Sequence, residues 1–84
     1  FKKKPKAEPP TRARQLVTTL QTDPDEKKRL AAAEELRSFD PRNNPDMVPA
    51  LIGSLQQDPS PAVRGEAAET LGRLKPVDQP AGLA

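Results

Sequence analysis

Apolar residues recur along this chain at intervals of three and four, which is the spacing of one face of an α-helix. Two such stripes lie between positions 13 and 39, and two more lie between positions 48 and 74. Within each pair, the stripes are separated by a short stretch that contains Asp-Pro. The pattern predicts four amphipathic helices, at 11–22, 26–38, 46–57 and 61–74, arranged as two helical hairpins.

The two predicted hairpins repeat one another in sequence. A shift of 35 positions aligns residues 16–41 with residues 51–76, and eleven of the 26 aligned positions are identical. The same shift places Pro10, Pro45 and Pro80 in one column. We expect one repeat at 11–41, a second at 42–76 and the start of a third at 77–84. A period of this length made of two helices predicts an all-α fold, an α-solenoid of two hairpins plus the start of a third.

Residues suited to helix starts precede three of the predicted helices. Thr11 opens the first, and Asp25 and Ser60 occupy equivalent places before the second and the fourth. Each of these last two side chains can accept a hydrogen bond from an amide of the first helical turn. Pro61 follows Ser60 at the first helical position, where a missing N–H removes no helical bond. We therefore expect both second helices to start just after the Asp-Pro turns.

The apolar stripes predict one continuous core across both hairpins. Its leucines are expected to be Leu16, Leu20, Leu36, Leu51, Leu55, Leu71 and Leu74. Gly53 and Gly72 lie inside predicted helices, where glycine costs roughly 1 kcal/mol relative to alanine. Such a cost suggests that another helix backbone approaches closely at these two positions.

The repeated order of an apolar helix, Asp-Pro, Val-Arg, Ala-Ala and Leu-Gly resembles HEAT repeats of the phycobilisome-lyase type, over about residues 11–76. The resemblance implies that the turn aspartate and the second-helix arginine bond within and between repeats. It therefore assigns a structural role to four residues, Asp23, Arg29, Asp58 and Arg64. The first repeat departs from the pattern, because Lys28, Leu30 and Arg37 replace Val63, Gly65 and Gly72. We expect the first repeat to be an end unit with one wetter face.

The first ten residues differ in composition from the rest. They hold four lysines, Lys2, Lys3, Lys4 and Lys6, together with three prolines, so they cannot bury a core and are expected to form an extended linker. Two other interpretations remain open. The lysines could lie at the cytoplasmic surface of a membrane whose spanning segment precedes Phe1, or they could form an arm that contacts nucleic acid or an acidic partner.

The charge distribution disfavours nucleic acid as the main partner. Residues 1–14 hold six basic residues and one acidic residue, a net charge of +5, whereas the remainder holds eight basic and eleven acidic residues, a net of −3. A slightly acidic repeat body does not match the charge of a phosphate backbone. The chain also lacks Trp and Tyr, the residues that commonly stack on bases.

The sequence contains neither His nor Cys, so the commonest acid–base and nucleophilic groups are missing. Adjacent carboxylates such as Glu34 and Glu35 are interpreted as solvated helix faces. We therefore expect no enzymatic activity, no metal site and no cofactor. The absence of Cys also excludes disulfides and thiolate metal ligands.

These observations favour a non-catalytic module that binds another protein or further repeats of its own kind. Two helical hairpins bury little apolar surface and the chain starts with Phe1, so we expect a part of a longer repeat protein or a subunit of a larger assembly. The alternatives are a subunit associated with a chromophore lyase and a nucleic-acid-binding module that uses the basic segment. The cytoplasm, or the cytoplasmic face of a membrane, is the expected location.

Overall fold

A computed structural model describes residues 11–74, and within this range it contains helices and no strand. The α-helices are α1 (Arg12–Thr22), α2 (Glu26–Glu35), α3 (Met47–Gln57) and α4 (Pro61–Arg73), and a 3-10 turn, Leu36–Ser38, extends α2. The four predicted helices are therefore confirmed, with ends that differ by one residue at most when the 3-10 turn is counted with α2. The expected linker at 1–10 and the expected start of a third repeat at 77–84 lie outside the described residues.

The helix starts form as their sequences predict. Thr11 accepts a hydrogen bond from the amide of Arg14, Asp25 from that of Lys27, and Ser60 from that of Val63. Each bond satisfies an amide that has no partner inside the helix. These local bonds fix where the chain leaves each turn and enters the next helix.

The two hairpins stack so that equivalent helices lie side by side. Within the hairpins α1 packs against α2, and α3 packs against α4. Between them α1 contacts α3, and α2 contacts α4. The first helices form one layer and the second helices form another, which is the arrangement of a helical-repeat solenoid.

The core lies where the four helices meet, and its buried apolar residues come from every helix. They are Ala13, Leu16, Val17, Leu20, Ala32, Ala33, Leu36, Met47, Ala50, Leu51, Val63 and Ala67. Four of the seven predicted core leucines are in this set. The small alanines let the helices approach closely, as in other tightly packed interiors.

The other three predicted core leucines are less buried than expected. Leu55 is 37% exposed, and Leu71 and Leu74 are only partly buried at the margin of the core. Leu71 and Leu74 still pack against the buried cluster, so the expectation of one continuous core was wrong for Leu55 alone.

The expected reason for the helical glycines was also wrong. A Cβ atom added at Gly53 or Gly72 would meet no neighbouring atom within 4 Å. Neither glycine has a positive φ angle. No close helix approach within residues 11–74 therefore requires glycine at these two positions.

Candidate functional site

An arginine of the first hairpin binds the turn of the second. The Nε of Arg29 donates to Oδ2 of Asp58 at 2.9 Å, and its Nη2 donates to Oδ1 at 3.0 Å. Its remaining nitrogen, Nη1, donates to the backbone carbonyls of Asp23 and Pro24. One guanidinium thus connects the turn of its own hairpin to the turn of the next. A two-point pair of this kind fixes orientation as well as distance.

Burial and hydrogen bonding shift the pKa of Asp58 in opposite directions. Its side chain is 5% exposed, and burial alone would raise the pKa of the carboxyl group. The hydrogen bonds from Arg29 and from the amide of Ser60 outweigh burial and hold the pKa of Asp58 below its usual value. The carboxylate of Asp58 raises the pKa of Arg29 in turn. Both groups therefore remain charged near neutral pH, and the ion pair between them is retained.

The second hairpin repeats half of this arrangement. Arg64 donates from Nη1 to the carbonyl of Asp58 at 2.8 Å, as Arg29 does to the carbonyl of Asp23. Within residues 11–74 this is the one hydrogen bond of the Arg64 side chain, so its Nε and Nη2 have no carboxylate equivalent to that of Asp58. At the other end, Asp23 accepts the amide of Asp25 and, among the described residues, receives no arginine on its carboxylate. The structural role that the resemblance assigns to these four residues stays a prediction.

Three further contacts between polar side chains join the hairpins. Ser60 donates to Oε2 of Glu26 at 2.7 Å. Arg37 donates to the hydroxyl of Thr70 at 3.0 Å and also pairs with Glu66. Sequence reasoning interpreted Arg37 as part of a wetter face, but here its charged end lies in the contact between the repeats.

Thr70 is a residue that sequence reasoning missed. Its side chain is fully buried, and its hydroxyl donates to the carbonyl of Ala33 at 2.8 Å. The available signal was its position in the stripe that Val63 and Ala67 begin, where a polar residue at helical spacing needs a buried partner.

Equivalent apolar residues of the two hairpins differ in exposure. Val17 is 6% exposed and Leu20 is 1% exposed, whereas their counterparts Ile52 and Leu55 are 40% and 37% exposed. The same contrast separates buried Ala13, Ala33 and Leu36 from Val48, Ala68 and Leu71, none of which is buried. We call the five less buried residues the open edge: Val48, Ile52, Leu55, Ala68 and Leu71. The open edge belongs to the second hairpin. The equivalent surface of the first hairpin is covered by the second hairpin.

The described part of the chain holds no group of three or more His, Cys, Asp or Glu side chains that could bind a metal ion. No helix in this part is long and apolar enough to cross a bilayer. The four lysines proposed as a contact surface, Lys2, Lys3, Lys4 and Lys6, lie outside the described residues.

The chain matches the model of a known family. The model of the family described as HEAT repeats matches residues 13–84, which is most of the chain. No curated protein and no solved structure matches the sequence significantly. The match covers both hairpins and therefore the whole of the open edge.

Proposed function

The chain belongs to the HEAT-repeat family, and we propose from this premise that it is a non-catalytic interaction module whose open edge binds another protein. HEAT repeats generally serve as protein-interaction scaffolds, which supports the class of function. The placement of the binding surface rests on the described residues, and the partner is either a further repeat or a separate subunit.

The open edge is the single observation that carries this proposal. Scattered exposed leucines are ordinary on protein surfaces, but a set of apolar residues on one side of two adjacent helices is typical of a binding surface. Fully burying an exposed side chain of this size contributes about 1.5–3 kcal/mol, and covering Ile52 and Leu55, which are 40% and 37% exposed, would add the part of that gain that their exposed surface carries. The equivalent residues of the first hairpin, Val17 and Leu20, already have that burial.

A photo-crosslinking residue at the open edge tests the proposal. We would place p-benzoylphenylalanine at Leu55 and, in a matched variant, at Gln56 of the same helix. Gln56 is exposed, and its counterpart Gln21 stays exposed although the second hairpin covers its neighbours. We expect discrete protein adducts in cells from position 55 and none from position 56. A further repeat of the same chain would give an internal crosslink from position 55 in place of an adduct. Equal products from both positions, or neither adduct nor internal crosslink from position 55, would contradict the proposal.

Two alternative functions rest on other parts of the chain. The resemblance to repeats of the phycobilisome-lyase type supports a subunit associated with a chromophore lyase. This alternative predicts that a catalytic lyase is among the proteins crosslinked from position 55. The lysines at positions 2, 3, 4 and 6 support contact with nucleic acid or an anionic membrane. Salt-dependent retention on DNA or on anionic vesicles that is lost when all four become alanine would favour that contact.

A further inference from the structure

We propose that the groove between the carboxyl ends of α1 and α3 binds a lysine side chain of another protein. The groove has a volume of about 370 Å³ and is lined by the last residues of both helices and by the turns that follow them. None of the five open-edge residues lines it. This second binding site therefore goes beyond the proposed function and does not depend on it.

Ser54 is a buried polar residue whose hydroxyl has no partner. It lines the groove and is 7% exposed, and its side chain makes no hydrogen bond within residues 11–74. The other buried polar residues of this part of the chain, Asp58, Ser60 and Thr70, all form side-chain hydrogen bonds. A buried hydroxyl without a partner is uncommon and lowers stability. An occupant of the groove can supply the partner that the described chain does not.

Gly53 leaves space beside Ser54. A Cβ atom added to Gly53 would meet no atom within 4 Å, so packing within the described chain does not require glycine there. Glycine nevertheless weakens a helix relative to alanine. The missing side chain opens the groove above two buried apolar residues, Leu20 and Ala50, which form its base. The stem of another side chain can lie on this base.

The charged groups of the groove favour a cation. Asp23, Arg29 and Asp58 line it, and two carboxylates against one guanidinium give a net charge of −1. Arg29 and Asp58 form an ion pair with each other. The carboxylate of Asp23 accepts the amide of Asp25 and, among the described residues, pairs with no arginine or lysine.

The two helix ends add to this negative potential. The carboxyl end of a helix carries a partial negative charge, which favours a cation nearby. Neither α1 nor α3 has a basic residue in its last turn. Pro24 and Pro59 follow the two helices and have no N–H to donate to the next open carbonyl of either one. The groove therefore presents mainly hydrogen-bond acceptors.

A lysine side chain matches both the base and the acceptors of the groove. Its aliphatic stem packs on apolar surface while its ammonium group reaches polar partners. The stem would cover Leu20 and Ala50, and the ammonium group, which has three donors and no acceptor, would bind the hydroxyl of Ser54 and the carboxylate of Asp23. The two lysines of the described chain, Lys27 and Lys28, do not line the groove. We therefore assign the lysine to another protein.

A nuclear magnetic resonance titration of the full chain tests this assignment. The probe is a blocked pentapeptide, Gly-Ser-Lys-Ser-Gly, and the control peptide has norleucine in place of lysine, which keeps most of the stem and removes the charge. We expect the lysine peptide to shift the backbone amide signals of Gly53, Ser54 and Gln57 in a saturable way. The norleucine peptide should shift none of them.

Two substitutions separate binding from stability. Ser54→Ala removes a hydroxyl that bonds nothing in the described chain, and Gly53→Leu fills the space above the base. Each should weaken binding of the lysine peptide at least about tenfold and leave the melting temperature unchanged or raised. Gly65→Leu is the matched control, because Gly65 is equally open but lies in α4, outside the groove. It should leave binding unchanged.

Four results would overturn this proposal. They are equal shifts with both peptides, no saturable shift with the lysine peptide, equal weakening by Gly65→Leu, and a lower melting temperature of Ser54→Ala, which would give the hydroxyl a structural role. A variant in which all lysines outside residues 11–74 become alanine tests the source of the lysine: Lys2, Lys3, Lys4, Lys6 and Lys75. Without peptide, its Gly53 and Ser54 signals should match those of the parent. A difference would show that the chain fills the groove itself.

Discussion

The guanidinium of Arg29 binds both carboxylate oxygens of Asp58, 29 residues further along the chain, at 2.9 and 3.0 Å. The same arginine binds the carbonyl of Asp23 in its own turn. This pair connects one turn directly to the next, and we expect it to set the register of the two hairpins. The contact between α2 and α4 then places the two second helices together in one layer.

Replacing Asp58→Asn should lower the free energy of unfolding by about 1.5–3 kcal/mol, the usual contribution of hydrogen bonds to charged groups. The amide keeps the shape of the side chain but cannot accept both nitrogens of Arg29. Chemical denaturation of the full chain measures this loss. Asp23→Asn is the matched control and should cost less, because no described arginine reaches that carboxylate. Equal losses would show that the inter-repeat pair adds nothing.

The same pair should make stability depend on acid. Hydrogen bonds from Arg29 and the Ser60 amide lower the pKa of Asp58 in the folded protein below its usual 3.8, against the effect of burial. Asp58 therefore stabilises the fold fully above the pKa of the unfolded chain, and this contribution is lost as the pH falls through the lower, folded pKa.

Melting temperatures from pH 7 to pH 2 check this dependence. Below about pH 4 the difference between the parent and Asp58→Asn should shrink, because protonation removes the same charge that the substitution removes. A difference that stays constant over the whole range would show that the charge of Asp58 does not contribute.

Equivalent leucines of the two hairpins should respond differently to truncation. Leu36 is fully buried, so Leu36→Ala should cost about 2–5 kcal/mol through lost contacts and an internal cavity. Leu71 occupies the same place in the second hairpin but is only partly buried, so Leu71→Ala should cost clearly less. Urea denaturation of both variants measures the two values. Equal costs would mean that the open edge is covered in the protein in solution.

The local parts of this fold were predictable from sequence. The stripe spacing and the residues Thr11, Asp25 and Ser60 predict where helices begin, because helix ends depend on bonds within a few positions. The exposure of Leu55 was not predictable, because its local sequence matches that of buried Leu20. The surroundings of the two leucines differ because a second hairpin packs against the hairpin that holds Leu20, whereas no described hairpin packs in the same way against the one that holds Leu55.

The contacts of the candidate site were predictable only in part. The turns hold Asp23, Asp25 and Asp58, and each predicted second helix holds two arginines, so the residue pattern does not tell which aspartate Arg29 binds. Only the resemblance to HEAT repeats predicted that the turn aspartate and the second-helix arginine bond both within and between repeats. The spacing of Thr70 from Val63 and Ala67 places it on the buried stripe, but its bond to the carbonyl of Ala33 depends on the packing of α2 against α4, which the local sequence does not specify.

Gly53 should be replaceable with a gain in stability. An added Cβ meets no atom within 4 Å, so Gly53→Ala should raise the free energy of unfolding by roughly 1 kcal/mol through the higher helix propensity of alanine. Thermal unfolding followed by circular dichroism measures the change. Ala31→Gly, at an exposed position of α2, is the control and should lower stability by a similar amount. A loss of stability in Gly53→Ala would indicate a close neighbour at that site.

Thiol reactivity at two equivalent positions tests the central claim, which is that the second hairpin exposes the surface that the first hairpin buries. The chain has no cysteine, so V17C and I52C each carry a single thiol in a similar helical setting. The thiol of I52C should react with a maleimide at nearly the rate seen in denaturant, whereas that of V17C should react far more slowly. Equal protection of the two thiols in the folded full chain would contradict the account.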